Sequence, residues 1–293
     1  MRLQRAAILL LGLACGRERP HTGTLSVTDD AGRTVTLARP ARRIVSLAPS
    51  STELLFALGA GDRLVGRTTW CRYPAEAAAV AVVGDGLNPN IEAVAARRPD
   101  LVVLYRSPLN ETAAAQLERL GIAAVILKQD RLEDVARAAR VLGNLTGRTA
   151  AGDSIVGAME RLLATTPPPP TSPRPRIAIV AWHDPPMIIG RGSFLDQLVT
   201  LAGATNVFAD IGAASATVSI ETIVARDPDR IVDIAGDSAQ RPPDYAARPE
   251  WQAVRAIRER RFLMLPEGLF GRPGPRAHEA VAELARRLRE TAP

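Results

Sequence analysis

Two Rossmann-like α/β lobes with mainly parallel sheets, joined by a single long backbone helix, are what this 293-residue sequence predicts. Three observations predict it. The stretch Ile91-Glu92-Ala93-Val94 to Val103 returns as Ile220-Glu221-Thr222-Ile223 to Val232, 129 residues later, with Ile, Glu, Ala, Arg, Pro, Asp and Val in matching places. Short apolar runs alternate with helical stretches in both halves, the pattern of parallel strands with right-handed crossovers. Between the halves, Leu132–Leu145 and Gly147–Thr165 are Ala-rich and free of proline, with Ile155, Met159, Leu162 and Leu163 at helical spacing and no intervening strand.

The repeat explains its own local structure. Each copy is a short helix stopped before a proline and followed by an apolar strand. Proline disfavours helical geometry in the residue before it, so the helices end near Arg98 and Asp227. Asn90 and Ser219 precede the two helices and are good N-caps. Glu92 and Glu221 then fall in the first turn, where the helix dipole favours an anion. Dipole complementation accounts for either carboxylate alone, whereas duplication gives each lobe an equivalent exposed acid.

In chain order, Arg2 and Arg5 precede an apolar run ending at Ala14, too short to span a bilayer. Residues 1–14 therefore read as a signal peptide, and Cys15 directly after Ala14 gives it a lipoprotein pattern. Simple secretion or a misplaced start codon is the alternative. A tether over 15–23 follows. The N-terminal lobe, 24–145, opens with a hairpin over Thr24–Leu37 about Asp30-Ala31-Gly32. Strands are expected at Arg43–Ala48, Arg63–Gly66, Val80–Gly84, Leu101–Leu104 and Ala123–Leu127. Helices are expected at Thr52–Leu58, ended by Gly59, and at Asn110–Leu120. The backbone helix and proline-rich connector occupy 146–175, and four consecutive prolines make the connector stiff. This junction predicts a rigid pair of lobes. The C-terminal lobe, 176–293, has strands at Arg176–Ala181, Arg230–Ile234 and Phe262–Leu265. Its helices lie at Phe194–Ala202, Pro249–Arg258 and from Ala277 to about Glu290.

Hydrophobic residues at 46% and charged residues at 23% describe a globular protein with enough chain for two cores. The net charge of +6 is scattered, so composition gives no support to nucleic-acid binding. With Cys15 acylated, Cys71 stands alone and no disulfide forms. His21, His183 and His278 are too dispersed for a metal site.

Chemistry points to binding. Trp70, Tyr105, Trp182 and Phe270 each lie just past an expected strand, and ligands of open α/β sheets sit outside the carboxyl ends of strands. Two facing lobes bring these rings into one cleft, where Arg106 and Arg272 supply polar groups. Tyr73 joins them or, in Tyr-Pro, simply opens a helix. No Gly-x-Ser-x-Gly elbow, phosphate loop or dinucleotide fingerprint is present. His183 beside Asp184 is the one pair that could suggest a hydrolase or transferase.

These motifs resemble the periplasmic substrate-binding proteins of ABC importers for vitamin B12, ferric siderophores and haem. The resemblance spans roughly Val27 to Arg289. It is carried by Arg43-Ile-Val-Ser-Leu-Ala-Pro-Ser-Ser-Thr-Glu-Leu-Leu55, Trp70-Cys-Arg-Tyr-Pro74, Asn88-Pro-Asn-Ile-Glu-Ala-Val94 with Arg98-Pro-Asp-Leu-Val-Val103, and Thr217-Val-Ser-Ile-Glu221. It implies a binding protein rather than an enzyme, periplasmic and lipid-anchored to the membrane surface. It further implies no resident cofactor, and a corrinoid or similar metal chelate carried in the interlobe cleft. Glu92 and Glu221 match the family's docking acids for an ABC permease dimer, which works with its ATPase subunits. Trp70, Tyr105, Trp182 and Arg272 match positions lining the corrin pocket of the B12 binders. Gly86, Ser215 and Gly268 depart from that pocket's aromatic and acidic positions and leave a siderophore or haem open.

Overall fold

The computed structural model describes residues 23–165, 173–235 and 243–290. The expected signal peptide, Cys15, most of the expected tether and the run of four prolines lie outside the described residues. β1 (Leu25–Thr28) and β2 (Thr34–Leu37) form the antiparallel hairpin that the alternation predicts. β3 (Ile44–Ser46), α1 (Pro49–Ala57), β4 (Leu64–Arg67), α2 (Ile91–Ala95), β5 (Leu101–Tyr105), α3 (Pro108–Arg119) and β6 (Ala123–Leu127) follow. Their sheet is all parallel, in the order β4-β3-β5-β6. The strand expected at Val80–Gly84 shrinks to one bridge between Val82 and Arg67. Backbone bonds still link the two segments, from Arg67 N to the Ala81 carbonyl, Val83 N to the Arg67 carbonyl and Thr69 N to the Gly84 carbonyl.

Next come α4 (Leu132–Thr146) and α5 (Thr149–Leu163), with Gly147 in the left-handed region between them. α5 is the helix that carries the chain from lobe to lobe, about 22 Å long at 1.5 Å per residue. It packs closely on α4, because a Cβ on Gly152 would come within 2.8 Å of the Ala139 carbonyl oxygen. Val156 joins the N-terminal core with Ile44, Leu101 and Leu142. One turn on, Met159 joins the C-terminal core with Leu132, Ile177 and Leu263.

The C-terminal lobe contains β7 (Arg176–His183), β8 (Pro186–Ile189), α6 (Phe194–Leu201), β9 (Thr205–Asn206), β10 (Ser215–Thr217) and α7 (Ile220–Arg226). It continues through β11 (Arg230–Ala235), α8 (Arg255–Arg258), β12 (Phe262–Pro266), α9 (Glu267–Phe270) and α10 (Ala277–Glu290). β7, β11 and β12 are parallel, β9 pairs in parallel with β7, and β8 and β10 add antiparallel strands. Sequence reasoning misses β8 because Pro185-Pro186 reads as a loop. Pro186 opens the strand, where a missing N–H is tolerated. The helix expected over Pro249–Arg258 is a 3-10 turn at Trp251–Ala253 followed by α8. Trp251 is fully buried and anchors that turn.

The duplicated unit is duplicated in its bonds. Arg98 and Asp227 both sit in the left-handed region, at φ +48° and +41°, directly before buried Pro99 and Pro228. The Asp100 carboxylate accepts from the amides of Arg42 and Arg43, each at 2.9 Å, and Asp229 accepts from the Arg176 amide at 2.9 Å. Arg43 donates to the carbonyls of Arg97 and Arg98, and Arg176 donates to that of Arg226. Each lobe thus ties the start of its first repeat-linked strand (β3 or β7) to the end of its short helix through one arginine and one aspartate.

Candidate ligand-binding cleft

The lobes meet at the carboxyl ends of the N-terminal strands. Glu53, on α1, is 3% exposed. A buried carboxylate is costly unless paired, and Glu53 is paired across the seam. Arg272 Nε donates to its Oε2 at 2.9 Å and Arg276 Nε to its Oε1 at 2.8 Å. The same arginines donate to the Gly268 carbonyl. The Arg276 guanidinium lies 3.6 Å from the centroid of the Tyr73 ring, within cation–π range, and Arg272 lies 5.7 Å from it. Elsewhere on the seam, Phe194 N donates to the Asp130 carbonyl, Leu132 N to Gln197, Gln197 to Glu133, and Arg131 to the Arg191 carbonyl.

Trp70, Tyr105 and Trp182 are 52%, 38% and 57% exposed, the most exposed Trp and Tyr side chains among the described residues. Trp70 follows β4, with the Arg72 guanidinium 5.5 Å from its ring centroid. Tyr105 ends β5, and its hydroxyl donates to Asp130 Oδ1 at 2.6 Å. Burial first, and then this bond, push the phenol well above the usual tyrosine range, so it remains a donor. Trp182 lies two residues past Val180, which is level with Asp233 of β11, at the carboxyl end of the sheet that also delivers Arg272 and Arg276. Its indole N–H donates to the Asp184 carbonyl.

Phe270 departs from expectation. It is fully buried among the C-terminal core residues, because α9 turns it inward, and it lines no cleft surface. Arg272 is at the seam, but its guanidinium is held by Glu53. Arg106 lies apart from that network, exposed beside Glu111 at 3.6 Å. Sequence reasoning missed Glu53 and Arg276. The available signal was a lone acid inside the apolar helix Pro49–Ala57, which demands a cationic partner.

Glu92 and Glu221 are both exposed in the first turns of α2 and α7. Asn90 and Ser219 cap those helices as the sequence predicts, accepting from Ala93 N at 2.9 Å and Thr222 N at 3.3 Å. The Ser219 hydroxyl also lowers the Glu221 carboxyl below the usual range, which keeps it ionised. His183 and Asp184 do not form a pair. The His183 ring is stacked between those of Trp182 and Tyr245, and Asp184 pairs with Arg248 at 3.1 Å. Gly86 has φ +83°, and a Cβ there would come within 2.7 Å of the Leu47 carbonyl oxygen. Backbone therefore fills the place where the resemblance implied an aromatic side chain.

Residues 44–269 match the periplasmic binding protein family over most of the chain. The chain belongs to that family. An uncharacterized ABC transporter substrate-binding lipoprotein of Bacillus subtilis is 29% identical over 96% of this chain and 93% of its own length. The crystal structure of the periplasmic vitamin B12-binding protein of Vibrio cholerae superposes with a TM-score of 0.69 at 25% identity, covering 86% of this chain and 98% of that one. A periplasmic haem-binding protein from Pseudomonas aeruginosa superposes with a TM-score of 0.73 at 25% identity, covering 86% and 94%. As a member of this family the chain has the two-lobed binding-protein fold, and these relatives are named as binding proteins. No helix among the described residues is long and apolar enough to cross a membrane.

Proposed function

We propose that this protein is the substrate-binding component of an ABC importer, capturing a corrinoid such as cobalamin between its lobes and delivering it to a permease. The observation that carries the reading is the trio of exposed rings, Trp70 and Tyr105 on one lobe and Trp182 on the other, all at strand carboxyl ends. Flat apolar surface of that kind suits a large planar chelate. The Vibrio cholerae relative, named for vitamin B12, supports the choice. Gly86, Ser215 and Gly268 favour a second reading, a haem or ferric-siderophore binder, as does the haem-binding relative. On this reading the lobes are 24–145 and 176–293, Cys15 carries a lipid anchor at the membrane surface of the periplasm, and no cofactor is resident.

Titration with cobalamin, haem and ferric siderophores, followed by Trp fluorescence and calorimetry, tests the assignment. The expected result is saturable 1:1 binding without turnover. Truncating Trp70 or Tyr105 to Ala costs roughly 1–3 kcal/mol of affinity. Unchanged affinity in both variants removes the aromatic cleft. Chemical conversion of a bound compound supports an enzyme instead.

Glu92 and Glu221 dock the permease on this proposal. Two exposed charges engaged together gain from effective concentration, although each alone contributes little, about 0–1 kcal/mol. The double variant Glu92→Ala, Glu221→Ala keeps its ligand affinity and loses uptake in cells that depend on this protein. Normal transport by that variant sinks the docking role.

A further inference from the structure

Among the described residues, three hydrogen-bond donors beside the proposed cleft have no partner. α1 begins at Pro49, and its N-cap residue, Ala48, has no side chain to offer. Its first turn contains no acid. The Thr52 amide donates to the Ala48 carbonyl. The amides of Ser50 and Ser51 donate to nothing among the described residues, although Ser50 is 7% exposed and Ser51 fully buried. The third donor is Gln129. Its side chain is held by Ser51, whose hydroxyl donates to Oε1 at 2.6 Å, and its amide nitrogen is enclosed and unpartnered. Gln129 itself is 5% exposed. The two amides are the open donors of an uncapped helix start, and the enclosed Gln129 nitrogen is a third donor beside them.

The position is equally specific. In the order β4-β3-β5-β6, β3 leads outward to β4 and β5 leads the other way to β6. The crevice between the carboxyl ends of β3 and β5 is therefore the switch point of the sheet, where open α/β sheets take ligands. α1 leaves β3 there, Leu47 N donates to the Val103 carbonyl, and Tyr105 ends β5 on the opposite wall. Neighbouring acids are already neutralised. Glu53 is held by Arg272 and Arg276, and Asp130 by the Tyr105 hydroxyl and by Lys128 at 3.6 Å.

We infer that the amino end of α1 is a subsite for an anionic substituent of the ligand, a carboxylate or a phosphate, received by the Ser50 and Ser51 amides with Gln129 behind them. This rests on the proposed cleft. A helix amino end supplies both the N–H groups and the dipole that such a group requires. The subsite would orient a chelate whose ring lies against Tyr105 by holding its charged arm at α1.

Amide NMR of the full chain, titrated with inorganic phosphate and separately with acetate, tests the subsite whether or not a chelate binds. The Ser50 and Ser51 signals move saturably with at least one anion, and which one identifies the source chemistry. In Gln129→Glu, which keeps an acceptor for Ser51 and places a negative charge at the site, the apparent affinity falls about tenfold, the scale of one charge-assisted hydrogen bond. Signals that stay still with both anions overturn the inference. A second arm compares cobalamin with cobinamide, which lacks the phosphodiester, and haem with its dimethyl ester. The charged member of the bound pair has an advantage of about tenfold that largely vanishes in Gln129→Glu. An equal advantage in both proteins overturns the inference as well. If no chelate binds while phosphate still moves the amides, the corrinoid and haem readings fail and the subsite stands.

Discussion

α1 and α6 occupy corresponding places. Each is the first helix of its lobe after the opening strands, and each is stopped by a Gly-Ala pair, Gly59-Ala60 and Gly203-Ala204. Their amino ends are opposites. α6 is capped by Ser193, which accepts from Leu195 N at 3.2 Å, and carries Asp196 in its first turn, itself bonded to Asn206. α1 has neither cap nor first-turn acid. The C-terminal lobe closes its helix internally and sends Arg272 and Arg276 across the seam, whereas the N-terminal lobe leaves donors open beside the cleft. On the proposed subsite, this difference in capping would divide the repeated scaffold into a receiving lobe and a bracing lobe.

The sharpest way to break this division is at the brace. Glu53→Ala leaves two part-buried guanidinium groups without their carboxylate. It should cost about 3 kcal/mol in urea unfolding, the lower end for breaking a buried pair because the arginines keep some solvent. A loss below about 1 kcal/mol would show that the seam does not depend on it.

The duplicated clamp gives the next effect. Asp100→Ala removes the acceptor of two backbone amides and should cost about 2 kcal/mol. Asp229→Ala removes one amide bond and a partner of Arg255, and should cost about 1 kcal/mol. Denaturant midpoints for the pair check the order, and a reversed order would mean that the two clamps are not equivalent.

The capping contrast itself is testable by paired substitutions. Ser193→Ala should lose about 1 kcal/mol with its cap bond, while Ser50→Ala, which breaks no bond, should stay within about 0.5 kcal/mol. Equal losses would erase the distinction between the helices.

The smallest effect is a gain. Arg98→Gly relieves a left-handed residue before proline and should stabilise by about 0.5 kcal/mol. Asp227→Gly gives the same relief but forfeits the exposed pair with Arg255, and should be near neutral by thermal melting.

The parts of the fold legible in the sequence are those governed by short-range rules. The caps at Asn90 and Ser219, the proline stops and the turn at Asp30 all depend on neighbours within four residues. β8 was hidden because two prolines outweighed a short apolar run, and Trp251–Ala253 because burial of Trp251 overrode helical continuity. Trp70, Tyr105 and Trp182, expected just past strands, are exposed, although Tyr105 ends β5 and Trp182 lies within β7. Phe270 obeyed the same sequence rule yet is buried, because a single turn, α9, intervenes and points it inward. Glu53, Arg276 and Gln129 acquire their meaning only from partners far away in sequence, which no local pattern contains.

α5 has a consequence for the order in which the molecule can be assembled. Its first half completes one hydrophobic interior and its last turns belong to the other, so a chain emerging from its amino end reaches residue 165 with Met159, Leu162 and Leu163 still uncovered. Until β7, β11 and β12 arrive, that apolar stripe, together with Leu132 and Val135 of α4, lacks its cover. The nascent half therefore needs either shielding or speed, and a fragment ending at residue 165 should clump while the whole chain does not.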